Sequence, residues 1–428
     1  MMKTMVWIYR IFLPAGFLFF VPGLLWKLWR RPGWKKTFGE RFGHFSKERR
    51  AELAAFHGCV WVHAVSVGES VIALALVRKM LAEHPDWKAV ISTGTTTGQE
   101  LVRKQLPPGA AAIFCPLDFP WMVKKTLRLL RPAALMILET EIWPNLILEA
   151  KRAGVKVALA NARMSDHSAR GYRRFRFFFA PLLEQFDLIA AQSEHDRERF
   201  LSVSPEANAR CCGNLKFDQS IPENLAKPDW GEYFGAGAYR VLLGASTHPG
   251  EEELLIDTFA GLRRKLPELR LVLVPRHAER GAEIMEILKR RGIAAQRKSS
   301  GEKTGEPVLA LLADTTGEML KWMAGADVVV MGKSLAGHDE GHNLIEPALL
   351  KKAIVTGSVL RNFRFLLKVL TENHAVATVN CDAELPAVLA GLLNDEAKRD
   401  ALGEAAFAAI AVHAGATRKT LKALEELL

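Results

Sequence analysis

The sequence predicts an α/β protein made of two Rossmann-like domains behind an N-terminal apolar segment, and three observations predict it. Short β-like runs alternate with helical stretches from residue 60 onward, the pattern of a parallel sheet covered on both faces. A polar, Pro-containing stretch at 219–238 interrupts the alternation, which then restarts. The length of 428 residues suits two or three domains, and 49% hydrophobic with 25% charged residues allows each a sizeable core. Two such halves joined by a linker are expected to leave a cleft near the carboxyl ends of their strands.

In chain order the apolar segment comes first. Residues 11–26 carry no charge, and extension back to Met5 gives twenty-two residues interrupted only by Arg10. As a helix these span roughly 33 Å, about the thickness of a bilayer core. Pro14, Pro22 and Arg10 keep an interfacial helix open as the alternative to a spanning one. No small-x-small site precedes the basic stretch, which disfavours a cleaved signal peptide. Residues 27–50 then hold nine Lys or Arg against Glu40 and Glu48, most of the formal +11, with Trp26, Trp29 and Trp34 flanking the basic residues. Basic charge beside an apolar helix favours an anionic membrane surface over nucleic acid, and places the body of the protein in the cytoplasm. Five scattered cysteines without metal-ligand spacing fit a reducing compartment. The expected division is 1–35 for the membrane anchor and basic juxtamembrane segment, 36–225 for the first Rossmann-like domain and 226–428 for the second.

The first domain offers strands at 60–67, 88–92, 110–114, 134–138, 155–160 and 188–191, with helices such as 70–83 and 143–153 between them. The second offers 240–245, 271–274, 308–311, 327–331 and 353–356. Residues 296–306 read as a surface loop and 416–428 as a terminal helix without an assigned partner.

The strand ends carry the chemistry. In VHAVSVGES (62–70), Glu69 at a helix start is either a general base or the partner of Ser66 in a capping box. In LETEIWPN (138–145), Glu139 and Glu141 on an extended segment point the same way, before a Pro-initiated helix. Residues 161–179 hold five arginines interleaved with aromatics, suited to phosphates or a membrane, with a solvated helix face as the alternative. GNLKFD (213–218) brings Lys216 to the end of the first half. In the second half, GASTHPGEEE (244–253) is a strand-to-helix turn in which Ser246 and Thr247 are candidate caps and phosphate ligands. LVPRHAER (273–280) ends a strand with Pro275 and Arg276, and DTTGEM (314–319) places Gly317 and Glu318 at a helix start. Residues 326–357 run from a buried strand through a loop with Gly332, Gly337, His338, Gly341 and His342 to a helix opened by Asn343. Backbone N–H groups of that loop are expected to face an anion, and Glu346 to accept from ribose hydroxyls. Asn343-x-x-Glu346 also reads as a capping box. The absence of a P-loop lysine motif and of GxGxxG disfavours an NTPase or a dehydrogenase, and no zinc-like spacing is found.

The ordered set HAVSVGES, LETEIWPNL, NARMSDHSARGY, AAQSEHDRERF, GNLKFD, GASTHPGEE, LVPRHAER, DTTGEM and GHNLIEP resembles the bacterial 3-deoxy-D-manno-octulosonic acid (Kdo) transferases of lipopolysaccharide assembly over nearly the whole chain. The resemblance implies a GT-B glycosyltransferase fold, CMP-Kdo as donor and lipid IVA as acceptor. It also implies no cofactor or metal, and a place on the cytoplasmic side of the bacterial inner membrane. It implies Glu69 as catalytic base, with Glu139 and Lys216 stabilising the transition state. CMP is then expected at Pro275 and Arg276, at Thr316, Gly317 and Glu318, and at Asn343, Leu344, Ile345 and Glu346. Two departures stand out: Lys333 occupies a place where the family often has Gly, and the GHDEGHN loop is one residue longer than usual. Two alternatives lie in other classes, a GT-B enzyme using a UDP-sugar on a lipid-linked acceptor and a non-catalytic membrane-tethered nucleotide-binding scaffold.

Overall fold

The computed structural model describes residues 7, 9–13, 39–219, 221–222, 224–301 and 306–428. Most of the apolar segment 5–26 and the first half of the basic stretch 27–50 lie outside the described residues, and the expected anchor with them. Among the described residues no helix is long and apolar enough to cross a membrane. The chain forms two compact units, Met1–Asp218 with Ala414–Leu428, and Gln219–His413.

The first unit holds β1 (Val60–Ala64), β2 (Ala89–Thr93), β3 (Ala110–Phe114), β4 (Ala134–Leu138), β5 (Lys156–Ala162), β6 (Leu188–Ala191) and β7 (Ala209–Cys211). All pair in parallel, in the order β3-β2-β1-β4-β5-β6-β7. β1, β2, β4 and β6 are buried at every residue, as strands covered on both faces must be. Successive side chains alternate between two cores: Trp61 joins Val90, Leu135 and Ile147 on one face, and Val62 joins Ile72, Met136 and Leu421 on the other. Sequence order reverses between β1 and β4. The carboxyl ends of those two strands therefore flank the switch point at which open α/β sheets bind ligands.

The second unit repeats the plan with β8 (Arg240–Thr247), β9 (Leu269–Pro275), β10 (Ala295–Arg297), β11 (Ala310–Leu312), β12 (Val328–Met331), β13 (Ala353–Gly357) and β14 (Ala377–Val379). The order is β10-β11-β9-β8-β12-β13-β14, again parallel, with its reversal between β8 and β12.

Several boundaries differ from the sequence expectation. The strand expected at 60–67 stops at Ala64, because Ser66 caps the helix Val67–Glu83. β7, β10 and β14 have three residues each, too few to display a period. β10 and the turn Lys298–Ser300 replace much of the loop expected at 296–306, of which 302–305 lie outside the described residues. Part of the expected linker is built into the second unit: Trp230 stacks on Trp322 at 5.9 Å and donates Nε1–H to Gly325 O at 3.0 Å. The units divide after Asp218 rather than 225. The terminal helix Ala416–Glu425 belongs to the first unit rather than to 226–428, with Leu421 and Leu424 buried in its core.

At the N-terminus, the Tyr9 hydroxyl donates to Asp118 Oδ2 at 2.8 Å. Arg10 donates to Asn145 Oδ1 and Glu149 Oε1, each at 2.7 Å. Glu149 is buried inside the first unit, so Arg10 is an ion-pair partner here rather than a stray charge in an apolar run. Two bases of the juxtamembrane stretch also serve the protein. Arg41 donates to Gly94 O at 2.8 Å, and Arg49 donates to Ala112 O, one carbonyl of the edge strand β3.

Candidate active site

At the carboxyl end of β1, Ser66 and Glu69 form a complete capping box. Glu69 Oε2 accepts from Val65 N at 2.8 Å, and Oε1 accepts from Ser66 N at 3.3 Å and the Ser66 hydroxyl at 2.7 Å. The box and the catalytic assignment are not rivals, because the box fixes the carboxylate at the switch point. A carboxylate offers about four lone-pair sites. Three are occupied, and the remaining one lies on Oε2.

Glu139 follows β4 directly and adopts a left-handed backbone, φ +59°, costly for a residue with a side chain. Its N–H donates to Ala160 O at 2.9 Å, and its Oε1 accepts from Lys216 Nζ at 2.7 Å. Arg163 Nε stands 3.7 Å from the other oxygen. Lys216 arrives by a turn, Leu215–Asp218, whose first N–H donates at 2.9 Å to Asn161 Oδ1. Asn161 is itself buried and left-handed (φ +53°) on β5. The structure thus brings together Glu139 and Lys216, 77 residues apart. Glu139 and Glu141 do not lie on one extended segment: the left-handed turn sends Glu141 to the Trp143 indole N–H, 3.0 Å from its Oε2. Burial, and then the nearby charges of Glu69 and Glu139, raise the Glu141 pKa above the usual carboxylate range. One sheet edge therefore gathers three carboxylates and a lysine.

In the second unit, Ser246 (φ +55°) is the penultimate residue of β8 and Gly332 starts the loop after β12. A Cβ on Gly332 would lie 2.3 Å from Ser246 O, so only glycine lets the two segments pass. Lys333 takes φ +61°, a left-handed conformation that favours glycine. The helix Glu251–Arg263 is capped by Gly250 and not by Ser246 or Thr247, and Thr247 is fully buried. The anion on this cradle belongs to the protein. Buried Glu251 accepts from His248 N (2.9 Å), Lys333 N (2.8 Å), Ser334 N (2.9 Å) and Leu335 N (3.0 Å). Those loop N–H groups, expected to face a ligand, instead lash two loops together.

The remaining predicted donor residues sit at the carboxyl ends of neighbouring strands. Pro275 ends β9 opposite Thr247, and exposed Arg276 donates its N–H to Thr247 O at 3.0 Å. After β11, Thr316 and Gly317 (φ +88°) are exposed, while Glu318 accepts from the Thr315 hydroxyl. After β12, Asn343 Oδ1 accepts from Ile345 N at 3.1 Å, and no capping box with Glu346 forms: the helix Ile345–Leu349 starts from Leu344 without a side-chain cap. The Leu344 and Ile345 side chains are core, so only their backbone can meet a ligand. Burial raises the Glu346 pKa.

Sequence reasoning missed His248 and His277 and gave His338 and His342 no role. His248 Nε2 lies 3.1 Å from His342 Nε2, and the ring of His248 lies 5.5 Å from His338 and 5.7 Å from His277. Burial lowers His248 to about 4, helped by the charges of Lys333, His338, His277 and Arg276. Burial, then His248, Arg276 and Lys333, lower His342 to about 4. The available signal was that each of STHP, PRH and GHDEGH follows a strand. Among the described residues no group of three His, Cys, Asp or Glu side chains is arranged to hold a metal ion.

The family model for 3-deoxy-D-manno-octulosonic-acid transferase (kdotransferase) matches residues 36–219. The 3-deoxy-D-manno-octulosonic acid transferase of Haemophilus influenzae is 31% identical over 402 residues, covering 93% of this chain and 93% of that protein. That of Bordetella pertussis is 34% identical over 416 residues, covering 94% and 95%. A solved glycosyltransferase from Rickettsia africae shares the fold with a TM-score of 0.58 at 13% identity, over 87% of this chain and 98% of that one. The two seven-stranded parallel sheets are those of a GT-B fold, and with relatives matched across more than nine-tenths of their length the chain belongs to the 3-deoxy-D-manno-octulosonic acid transferase family.

Proposed function

We propose that this protein transfers Kdo from CMP-Kdo to lipid IVA, the lipid A precursor, at the cytoplasmic face of the bacterial inner membrane. The observation that carries this reading is the Glu139–Lys216 pair, held by a left-handed strand end at the same sheet edge as the box-fixed Glu69. The first unit serves the acceptor and the second the donor. Glu69 takes the proton of an acceptor hydroxyl through its open Oε2 site. The hydroxyl oxygen bonds to the anomeric carbon of Kdo as the bond to the CMP phosphate breaks, through a transition state with oxocarbenium character. Glu139 offsets that positive charge, and Lys216 sets its orientation. Arg276 and Lys333 compensate the departing phosphate, Ser246 and the Thr316–Glu318 turn add polar contacts, and Asn343 to Glu346 with Pro275 receive the nucleoside. These fixed cations do the work of a divalent ion, so the reaction runs without one. Transfer abolished by chelator and restored by magnesium would contradict this.

The membrane reading is supported by Trp7, Ile11 and Phe12, which are 65%, 65% and 69% exposed beside the tethered Tyr9 and Arg10. The test of function is incubation of purified protein with CMP-Kdo and lipid IVA, read as product mass, with UDP-sugars as competing donors. The Glu69→Ala variant is expected to lose about 10²–10⁴ in rate. Near-normal transfer by that variant removes the base assignment.

A further inference from the structure

The mechanism above leaves four histidines unused, and each adjoins a donor-edge segment. His248 follows Ser246 and Thr247, His277 follows Arg276, and His338 and His342 lie on the loop between Lys333 and Asn343. We propose that the cluster His248, His277, His338 and His342 is a subsite for the carboxylate that the donor sugar carries on its anomeric carbon, next to the nucleotide phosphate. This assignment rests on the CMP-Kdo reading.

The charges around the cluster favour an anion. Arg276 and Lys333 face His248 and His342, Glu340 faces His342 with the opposite sign, and Asp339 beside it accepts from Arg361 Nε at 2.7 Å. Glu251 already accepts from four backbone N–H groups. Glu279 lies 3.5 Å from His277 Nδ1, and Glu340 lies 3.8 Å from Lys333 Nζ. His338 Nε2 lies 3.0 Å from Pro249 O, to which it donates. The two facing Nε2 atoms of His248 and His342 satisfy each other as one donor and one acceptor. Adding a proton breaks that bond and leaves two N–H donors aimed into the same space, an arrangement suited to the two oxygens of a carboxylate. Burial and the neighbouring cations hold His248 and His342 near 4. A bound anion raises both, so donor binding takes up protons and tightens as pH falls below neutrality.

The experiment compares wild type, the His248→Gln/His342→Gln double variant and the His277→Gln variant. It measures KM for CMP-Kdo and the inhibition constant of CMP, which lacks the carboxylate, between pH 6 and 8. The double variant is expected to raise KM by about tenfold or more, the loss of a charge-assisted hydrogen bond, with CMP inhibition within about twofold of wild type. The fall of KM with falling pH should be present in wild type and absent from the double variant. Retained CMP inhibition shows that the variant is folded. His277→Gln, at an exposed position, should flatten the same profile in part. Equal loss of CMP-Kdo and CMP affinity would assign the cluster to the phosphate and overturn the proposal, as would an unchanged KM with a wild-type pH profile. Wild-type protein that does not turn over CMP-Kdo at all would overturn the functional reading first and the subsite with it.

Discussion

Lys216 shows how one side chain can depend on a distant turn. Its ammonium is the closest cation to Glu139, at 2.7 Å against 3.7 Å for Arg163. Lys216→Met should leave that carboxylate poorly oriented, costing about 10²–10³ in kcat with CMP inhibition unchanged. Steady-state transfer kinetics check this, and a loss confined to KM would count against a role in the transition state. A second residue carries a pH signature. His63 is fully buried on β1, with Nδ1 2.9 Å from Ser92 Oγ, and burial lowers it to about 4 from an ordinary 6.5. The folded state therefore binds fewer protons than the unfolded one between those values. Its contribution to stability is complete above about 6.5 and is lost as pH falls toward 4, by up to about 1.4 kcal/mol per pH unit. His63→Asn should flatten the urea midpoint between pH 7 and 5, and an unaltered slope would refute it. At this scale sequence legibility was uneven. Glu69 was visible because Ser66-x-x-Glu69 is a local pattern, whereas the left-handed Glu139, Asn161 and Ser246 gave no glycine to mark them. Lys216 meets Glu139 only through tertiary structure: its position before the linker marked it as a candidate, and its role beside Glu139 came from resemblance.

Strands and loops differ in the same way. The long central strands were readable because burial on both faces leaves continuous apolar runs such as ALMIL and VVVM. The Gly-containing loop after β12 was expected to face an anion, and the anion it faces is the protein's own Glu251. In the run Glu251-Glu252-Glu253 nothing local says which carboxylate turns inward, and the choice falls to Glu251 because it begins the helix behind Gly250. That carboxylate joins the loops after β8 and β12, the pair flanking the switch point, and so holds this sheet edge together. Glu251→Gln replaces one acceptor oxygen by an NH2 group facing backbone N–H donors. The expected cost is about 2–4 kcal/mol in stability, with CMP affinity falling alongside. Thermal unfolding with and without CMP checks this. A variant with wild-type stability and CMP binding would show that the four hydrogen bonds do not hold the edge.

For the whole molecule, sequence order misled because it assigned the last residues to the last unit. The chain leaves the first unit after Asp218 and re-enters at Ala414. Asp218 marks both points, accepting from Gly415 N at 2.6 Å and from Thr417 N. An amphipathic terminal helix has no intrinsic address, and only packing shows that Leu421 and Leu424 complete the core around Val62 and Met136. His84 Nε2 and Glu425 Oε1 at 2.7 Å add a polar contact at its end. If the division holds, a cavity in this helix must weaken the distant sheet of the first unit while sparing the one that precedes the helix in sequence. Leu421→Ala should destabilise the first unit by about 2–5 kcal/mol, the cost of a buried leucine truncation. Native-state hydrogen exchange resolves the two sheets separately. Amides of β1, β2 and β4 should exchange faster by a factor matching that loss, while those of β8, β9 and β12 keep wild-type rates. Equal acceleration in both sheets would mean that the two units unfold as one, and that the boundaries at 218 and 413 carry no energetic meaning.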